Sequence, residues 1–100
     1  MAQRKIIWSN SARIKLYKIL EFYIERNKNK TYSTKLYENI NKDLKLLIKH
    51  PDLGIKTEIE SVRALIAGDF IIFYENFNNK IIIHTLWDSR QNPDDLTITD

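Results

Sequence analysis

The chain has no cysteine, two glycines, two prolines and no long apolar run. Each shortage excludes something. Without cysteine there are no disulfide staples and no Cys-ligated zinc, which suits a reducing cytoplasm, the location expected here. His50 and His84 stand 34 positions apart, a spacing that makes no metal site, and no cofactor is expected. With glycine at positions 54 and 68 alone there is no Gly-rich phosphate loop. Only Ile6 and Ile7 are apolar before Trp8, so a secretory signal is not expected. No segment approaches the roughly 20 apolar residues of a membrane helix.

What remains is one hundred residues, 43% of them hydrophobic, enough for a single small domain spanning 1–100. The net charge of +3 hides an asymmetry. Residues 1–50 carry 12 Lys/Arg and 4 Asp/Glu, or +8, whereas residues 51–100 carry 4 and 9, or −5. A basic half suits an acidic protein or a nucleic acid, or is simply a solvated lysine face.

Lys5-Ile6-Ile7-Trp8 reads as a short strand, followed by Ser9, Asn10 or Ser11 as helix cap. Leu16, Ile19, Leu20 and Tyr23 share one face of a first helix that ends near Asn27. A second helix starts near Ser33, a candidate cap. It buries Leu36, Ile40, Leu44 and Leu47 and turns Lys35, Lys42, Lys45 and Lys49 outward as a candidate partner-binding stripe. Pro51 stops it at or before His50. Residues 55–61 read as an exposed loop.

Three β-rich runs follow, parted by Gly68-Asp69 and Asn78-Asn79, and read as an antiparallel meander. The expected fold is α+β, in the order β-α-α-β-β-β, with a two-helix hairpin packed on one face of an antiparallel sheet. Two-residue turns place Phe77 opposite Lys80, Phe73 opposite His84 and Ala64 opposite Phe73. One face then carries Arg63, Leu65, Phe70, Ile72, Tyr74, Ile81, Ile83, Thr85 and Trp87. The other carries Val62, Ala64, Ile66, Ile71, Phe73, Glu75, Ile82, His84 and Leu86. A β-bulge would reassign everything beyond it. Both faces are apolar, so the face away from the helices needs cover from the C-terminal tail, from loop 52–61 or, the favoured reading, from a partner.

The meander delivers the polar run Asp88-Ser89-Arg90-Gln91-Asn92-Pro93 to one end of the sheet. That run, together with His50-Pro51-Asp52-Leu53-Gly54, Val62-Arg63 and Gly68-Asp69-Phe70-Ile71-Ile72-Phe73-Tyr74, resembles the RelE/ParE family of toxins, closer to the ParE branch. The resemblance covers about residues 5–96. It implies a toxin of a type II toxin–antitoxin pair, neutralised by a cognate antitoxin protein. RelE-type members cut mRNA on the ribosome with basic residues on the exposed sheet face. ParE-type members poison DNA gyrase. A third possibility is a member that binds only its antitoxin. Where nucleases of the family carry cations, this chain has Val62, Ala64, Ile66 and Ile71.

Asp88, Arg90, Gln91 and Asn92 are accordingly the candidate target-binding residues. Arg90 can grip a phosphate or a partner carboxylate, or pair with Asp88 or Asp94. For a nuclease the candidate catalytic pair is His84 as base, titrating near neutrality, and Arg90 as phosphate clamp. The alternative for His84 is a strand histidine beside Phe73. His50 suits the C-terminal dipole of the second helix. Arg63 is expected to be structural, paired with Glu21 or Glu25.

Overall fold

A computed structural model of the chain describes residues 4–90. Strand β1 (Lys5–Trp8) leads into helices α1 (Asn10–Asn27) and α2 (Thr31–Lys49). Strands β2 (Ile55–Lys56), β3 (Val62–Ala67), β4 (Phe70–Phe77) and β5 (Lys80–Asp88) follow. They form one sheet in the order β1-β5-β4-β3-β2. The expected α+β arrangement holds, with two refinements. The sheet is mixed, because β1 runs parallel to β5, and residues 55–56 add a two-residue edge strand that pairs Ile55 with Ala64 and Lys56 with Arg63.

Local chemistry accounts for the element ends. Ser9 caps α1 by accepting a hydrogen bond from the Ala12 amide, 3.1 Å. Lys28 closes α1 in the left-handed region, φ 60°. Ser33 does not cap α2. Its buried hydroxyl donates instead to the Leu20 carbonyl of α1, 2.7 Å, and α2 begins two residues earlier, where the Thr31 amide donates to Asn29 Oδ1. A serine at one helix start is thus spent joining the two helices. Asn78 and Asn79 both take positive φ, 56° and 61°, as the mirror-image hairpin turn demands.

The main core lies between helices and sheet. Ala12 and Leu16 of α1, with Ile40, Leu44 and Leu47 of α2, pack on Ile72, Tyr74, Ile81, Ile83 and Leu86. Each such aliphatic side chain contributes about 1.5–3 kcal/mol on burial. A smaller cluster of Val62, Phe73 and Trp87, flanked by Ala64 and Ile71, forms on the other face.

That second cluster contains the main correction to the register. β3 and β4 pair as expected, with Ala64 opposite Phe73, and Phe77 faces Lys80. Between Phe73 and Tyr74 the ladder shifts: Tyr74 faces Ile83, yet Phe73 faces Thr85 rather than His84. His84 is the extra residue of a β-bulge. Beyond it alternation reverses, so Leu86 joins the helix side and Thr85 and Trp87 move to the other. The bulge removes the His84 carbonyl from the ladder, and the Ser9 hydroxyl donates to it, 3.0 Å.

Among the described residues, no helix is long and apolar enough to cross a membrane.

Candidate functional site

The segment leaving β5 is fixed at three points. The Ser89 amide and hydroxyl both donate to the Asp69 carbonyl in the β3–β4 turn, 2.9 Å each. Asp88 accepts from the Arg90 amide, from its Nε at 2.9 Å and from its Nη2 at 2.8 Å, a bidentate clamp. Arg90 Nη2 also donates to the Tyr23 hydroxyl on α1. The Arg90 contacts hold the Asp88 carboxyl below its usual range, and Asp88 in turn raises Arg90 above its own. The arginine is therefore oriented while its side chain stays 53% exposed. Among the described residues, the acidic partner of Arg90 is Asp88. Asp94, Gln91 and Asn92 lie outside the described residues, as does Pro93.

Behind the clamp, three aromatics of α1 and α2 cluster. Tyr23 meets Phe22 edge-on at 5.0 Å and Tyr32 at 4.6 Å. Burial, and next the neighbouring Tyr23, raise the Tyr32 hydroxyl above the usual tyrosine range. Tyr23 reads as an ordinary stripe residue in the sequence. The signal that it does more is its polar handle at a buried position, since a buried tyrosine hydroxyl needs a partner.

Two open grooves flank this end. One, about 460 Å³, runs between α1 and β5 beside Arg90; the other, about 430 Å³, lies between α2 and the β3–β4 turn. In the first, Lys15 reaches over the Trp87 ring, 5.5 Å to its centroid, and toward the Leu86 carbonyl, 3.5 Å. Of the α2 lysines, Lys35, Lys42, Lys45 and Lys49 are all exposed, and Lys35 and Lys42 border the second groove.

His84 and Arg90 are not brought together. His84 Nε2 meets Glu75 Oε1 at 2.9 Å on the sheet face away from the helices, whereas Arg90 reaches Tyr23 on α1. A carboxylate beside an imidazole can orient it as a base. The cation needed for a phosphate is less well supplied. Among the described strands the register puts two cations on that face, Lys80, four residues and about 13 Å along the strand from His84, and Lys5 of β1 beside it.

Arg63 is structural, but not through Glu21 or Glu25. It projects to the helix side opposite Tyr74 and donates to the Gly54 carbonyl, 2.8 Å, and the Asp52 carbonyl, 3.3 Å. Its Nε lies 3.7 Å from Asp52 Oδ1. Tyr74 completes the same latch: its hydroxyl donates to the Pro51 carbonyl and accepts from the Gly54 amide, 2.8 Å each. A Cβ on Gly54 would lie 2.7 Å from Tyr74 Cε1 and Oη and 2.9 Å from the Ala64 carbonyl. So the Pro51–Gly54 motif needs glycine for close approach. His50 closes α2, its amide donating to the Leu46 carbonyl.

A family model described as "ParE toxin of type II toxin-antitoxin system, parDE" matches residues 6–93. A solved structure titled "Chromosomal ParDE TA system from P. aeruginosa" superposes with a TM-score of 0.71 at 20% identity, over 83% of this chain and 92% of that one. At that identity the likeness concerns the fold. No curated protein matches.

Proposed function

The chain belongs to the ParE toxin family of type II toxin–antitoxin systems, and from that premise we propose that it arrests growth by binding DNA gyrase in the cytoplasm and is neutralised by a cognate antitoxin. The observation that carries the gyrase reading is the sheet face itself. Cleavage of RNA needs a base, an acid and cations around the phosphate. Here Val62, Ala64, Ile66 and Ile71 occupy that face, and Val62 packs with Phe73 and Trp87 into an apolar cluster. Contact with the target then falls to the segment from Asp88 onward, which supports Gln91 and Asn92 as further contact residues. Exposed groups on a rigid scaffold are where binding concentrates.

The second reading is a ribosome-dependent mRNA endoribonuclease, favoured by the His84–Glu75 contact. Induced expression of His84→Ala separates the two. Under the gyrase reading the variant arrests growth as wild type does. A folded but harmless variant, with mRNA fragmented by wild type on ribosomes, supports the nuclease.

A further inference from the structure

Of the Arg90 guanidinium nitrogens, Nε and Nη2 are committed. Nε lies on Asp88 Oδ1 at 2.9 Å, and Nη2 divides its hydrogens between Asp88 Oδ2 at 2.8 Å and the Tyr23 hydroxyl. Nη1 donates to nothing among the described residues. With the clamp closed, Nη1 is the corner of the arginine left for an outside oxygen. Asp88 does not aim that corner. It sits two residues from Arg90 on the same segment, so carboxylate and guanidinium can swing together as one unit. The Ser89 contacts with the Asp69 carbonyl fix the backbone there, not the guanidinium.

Tyr23 is placed differently. It belongs to α1, 67 residues away in sequence, and is 9% exposed. Its ring packs edge-on against Phe22, 5.0 Å between centroids, and tilted against Tyr32 of α2, 4.6 Å. A phenol held by two neighbouring rings cannot follow a moving arginine. An arginine, among the side chains with most rotamer freedom to lose, can be fixed by the phenol. We propose that Tyr23 is a positioning residue for target binding: its hydroxyl, set in the helical layer, holds the Arg90 guanidinium so that Nη1 faces an acceptor oxygen of the target. This rests on the reading of the chain as a gyrase-binding toxin with Arg90 in the contact. Tyr23 acts through Arg90, which reaches the target with its rotamer already chosen. Freezing such a side chain only on contact weakens association. Tyr23 also narrows what Arg90 can take. A carboxylate or phosphate gripped fork-to-fork across Nη1 and Nη2 would need the hydrogen that the phenol occupies. With Tyr23 in place the contact runs through Nη1, to one oxygen.

The test is a double-mutant cycle with the protein freed from its antitoxin, read by inhibition of gyrase supercoiling. Tyr23→Phe removes the hydroxyl and keeps the ring. It should raise the concentration for half-inhibition about fivefold, the scale of one rotamer-rich side chain left unfixed. In the Arg90→Ala background the same change should add less than about twofold. The thermal midpoint of Tyr23→Phe should fall by no more than about 4 °C. Tyr17→Phe, on an exposed ring of the same helix, should inhibit as wild type does. A second readout needs no gyrase: by NMR, the Arg90 Nε–H should exchange with water faster in Tyr23→Phe than in wild type. Inhibition by Tyr23→Phe equal to wild type overturns the positioning role, and so does an unchanged exchange rate. Equal weakening with and without Arg90→Ala overturns it too, since Tyr23 then acts independently of the arginine. A midpoint more than about 10 °C below wild type makes the hydroxyl architectural and has the same meaning. If Arg90→Ala inhibits fully, or wild type leaves gyrase undisturbed, the target reading fails first and the positioning role falls with it.

Discussion

Two arginines border the sheet and are held in opposite ways. Arg63 gives its guanidinium to backbone carbonyls of the Pro51–Gly54 turn and is 25% exposed. Arg90 is gripped by a single neighbouring carboxylate and a tyrosine hydroxyl, and is 53% exposed. Backbone carbonyls in a latched turn cannot leave without undoing the turn, so Arg63 is architecture. A carboxylate two residues away can exchange Arg90 for another anion with the chain intact. On the proposed reading, burial and partner type, more than residue type, separate the cation that holds the fold from the one offered to the target.

Substitutions around the two arginines can break or sharpen this contrast. The largest effect is expected at Gly54, where an added Cβ meets Tyr74 and the Ala64 carbonyl below 3.0 Å. Gly54→Ala should cost about 3 kcal/mol and lower the thermal midpoint by on the order of 15 °C. A melt unchanged within error would mean the latch yields freely.

Next is Tyr74→Phe, which strips the buried Gly54 amide and the Pro51 carbonyl of their partner. Leaving such groups unpaired costs about 1–3 kcal/mol. The same residue gives a pH signature. Burial raises the Tyr74 hydroxyl above the ordinary 10.0, ahead of the lowering effects of the Gly54 contact and Arg63. A raised folded value means the neutral phenol is preferred in the native state. Its stabilisation is complete below pH 10 and lost as pH climbs through the folded value. Denaturant melts from pH 9 to 11 should therefore show a steeper alkaline decline for wild type than for Tyr74→Phe. Parallel curves would contradict the assignment.

Arg63→Ala should follow, at about 1.5 kcal/mol by denaturant unfolding, with toxicity kept whenever enough folded protein accumulates. Loss of toxicity at full stability would move Arg63 to the target surface. Smallest in stability is Arg90→Ala. It leaves the Tyr23 hydroxyl and the Asp88 carboxylate without this partner at a half-exposed site, so its thermal midpoint should fall by about 4 °C, while growth arrest is relieved. A variant that unfolds instead would make the Asp88–Arg90–Tyr23 clamp architectural, and the contrast between the arginines would disappear.

Much of this arrangement was legible in the chain. The stripes Leu16–Tyr23 and Leu36–Leu47, the stop at Pro51 and the Asn78-Asn79 turn rest on local periodicity and backbone chemistry, which act over a few residues. The misses are non-local. Nothing in Ile81-Ile82-Ile83-His84-Thr85-Leu86-Trp87 marks a bulge, since no glycine or proline interrupts it. The bulge is held by Ser9, 75 residues away in sequence. The parallel docking of β1 on β5 needs the whole helical hairpin in between. Strand β2 is too short to show a pattern. At the candidate site, Arg90 is singled out in the sequence by its place after the last strand, but Tyr23, 67 residues distant, becomes its partner only when α1 lies beside β5.

The most direct measurement is DNA supercoiling by purified gyrase in the presence of this protein freed from its antitoxin. Wild type should block conversion of relaxed to supercoiled plasmid, His84→Ala should block it equally, and Arg90→Ala should block it at least 10-fold less well. Gyrase that works undisturbed by wild type, while ribosome-bound mRNA is cut in a His84-dependent way, would contradict the account.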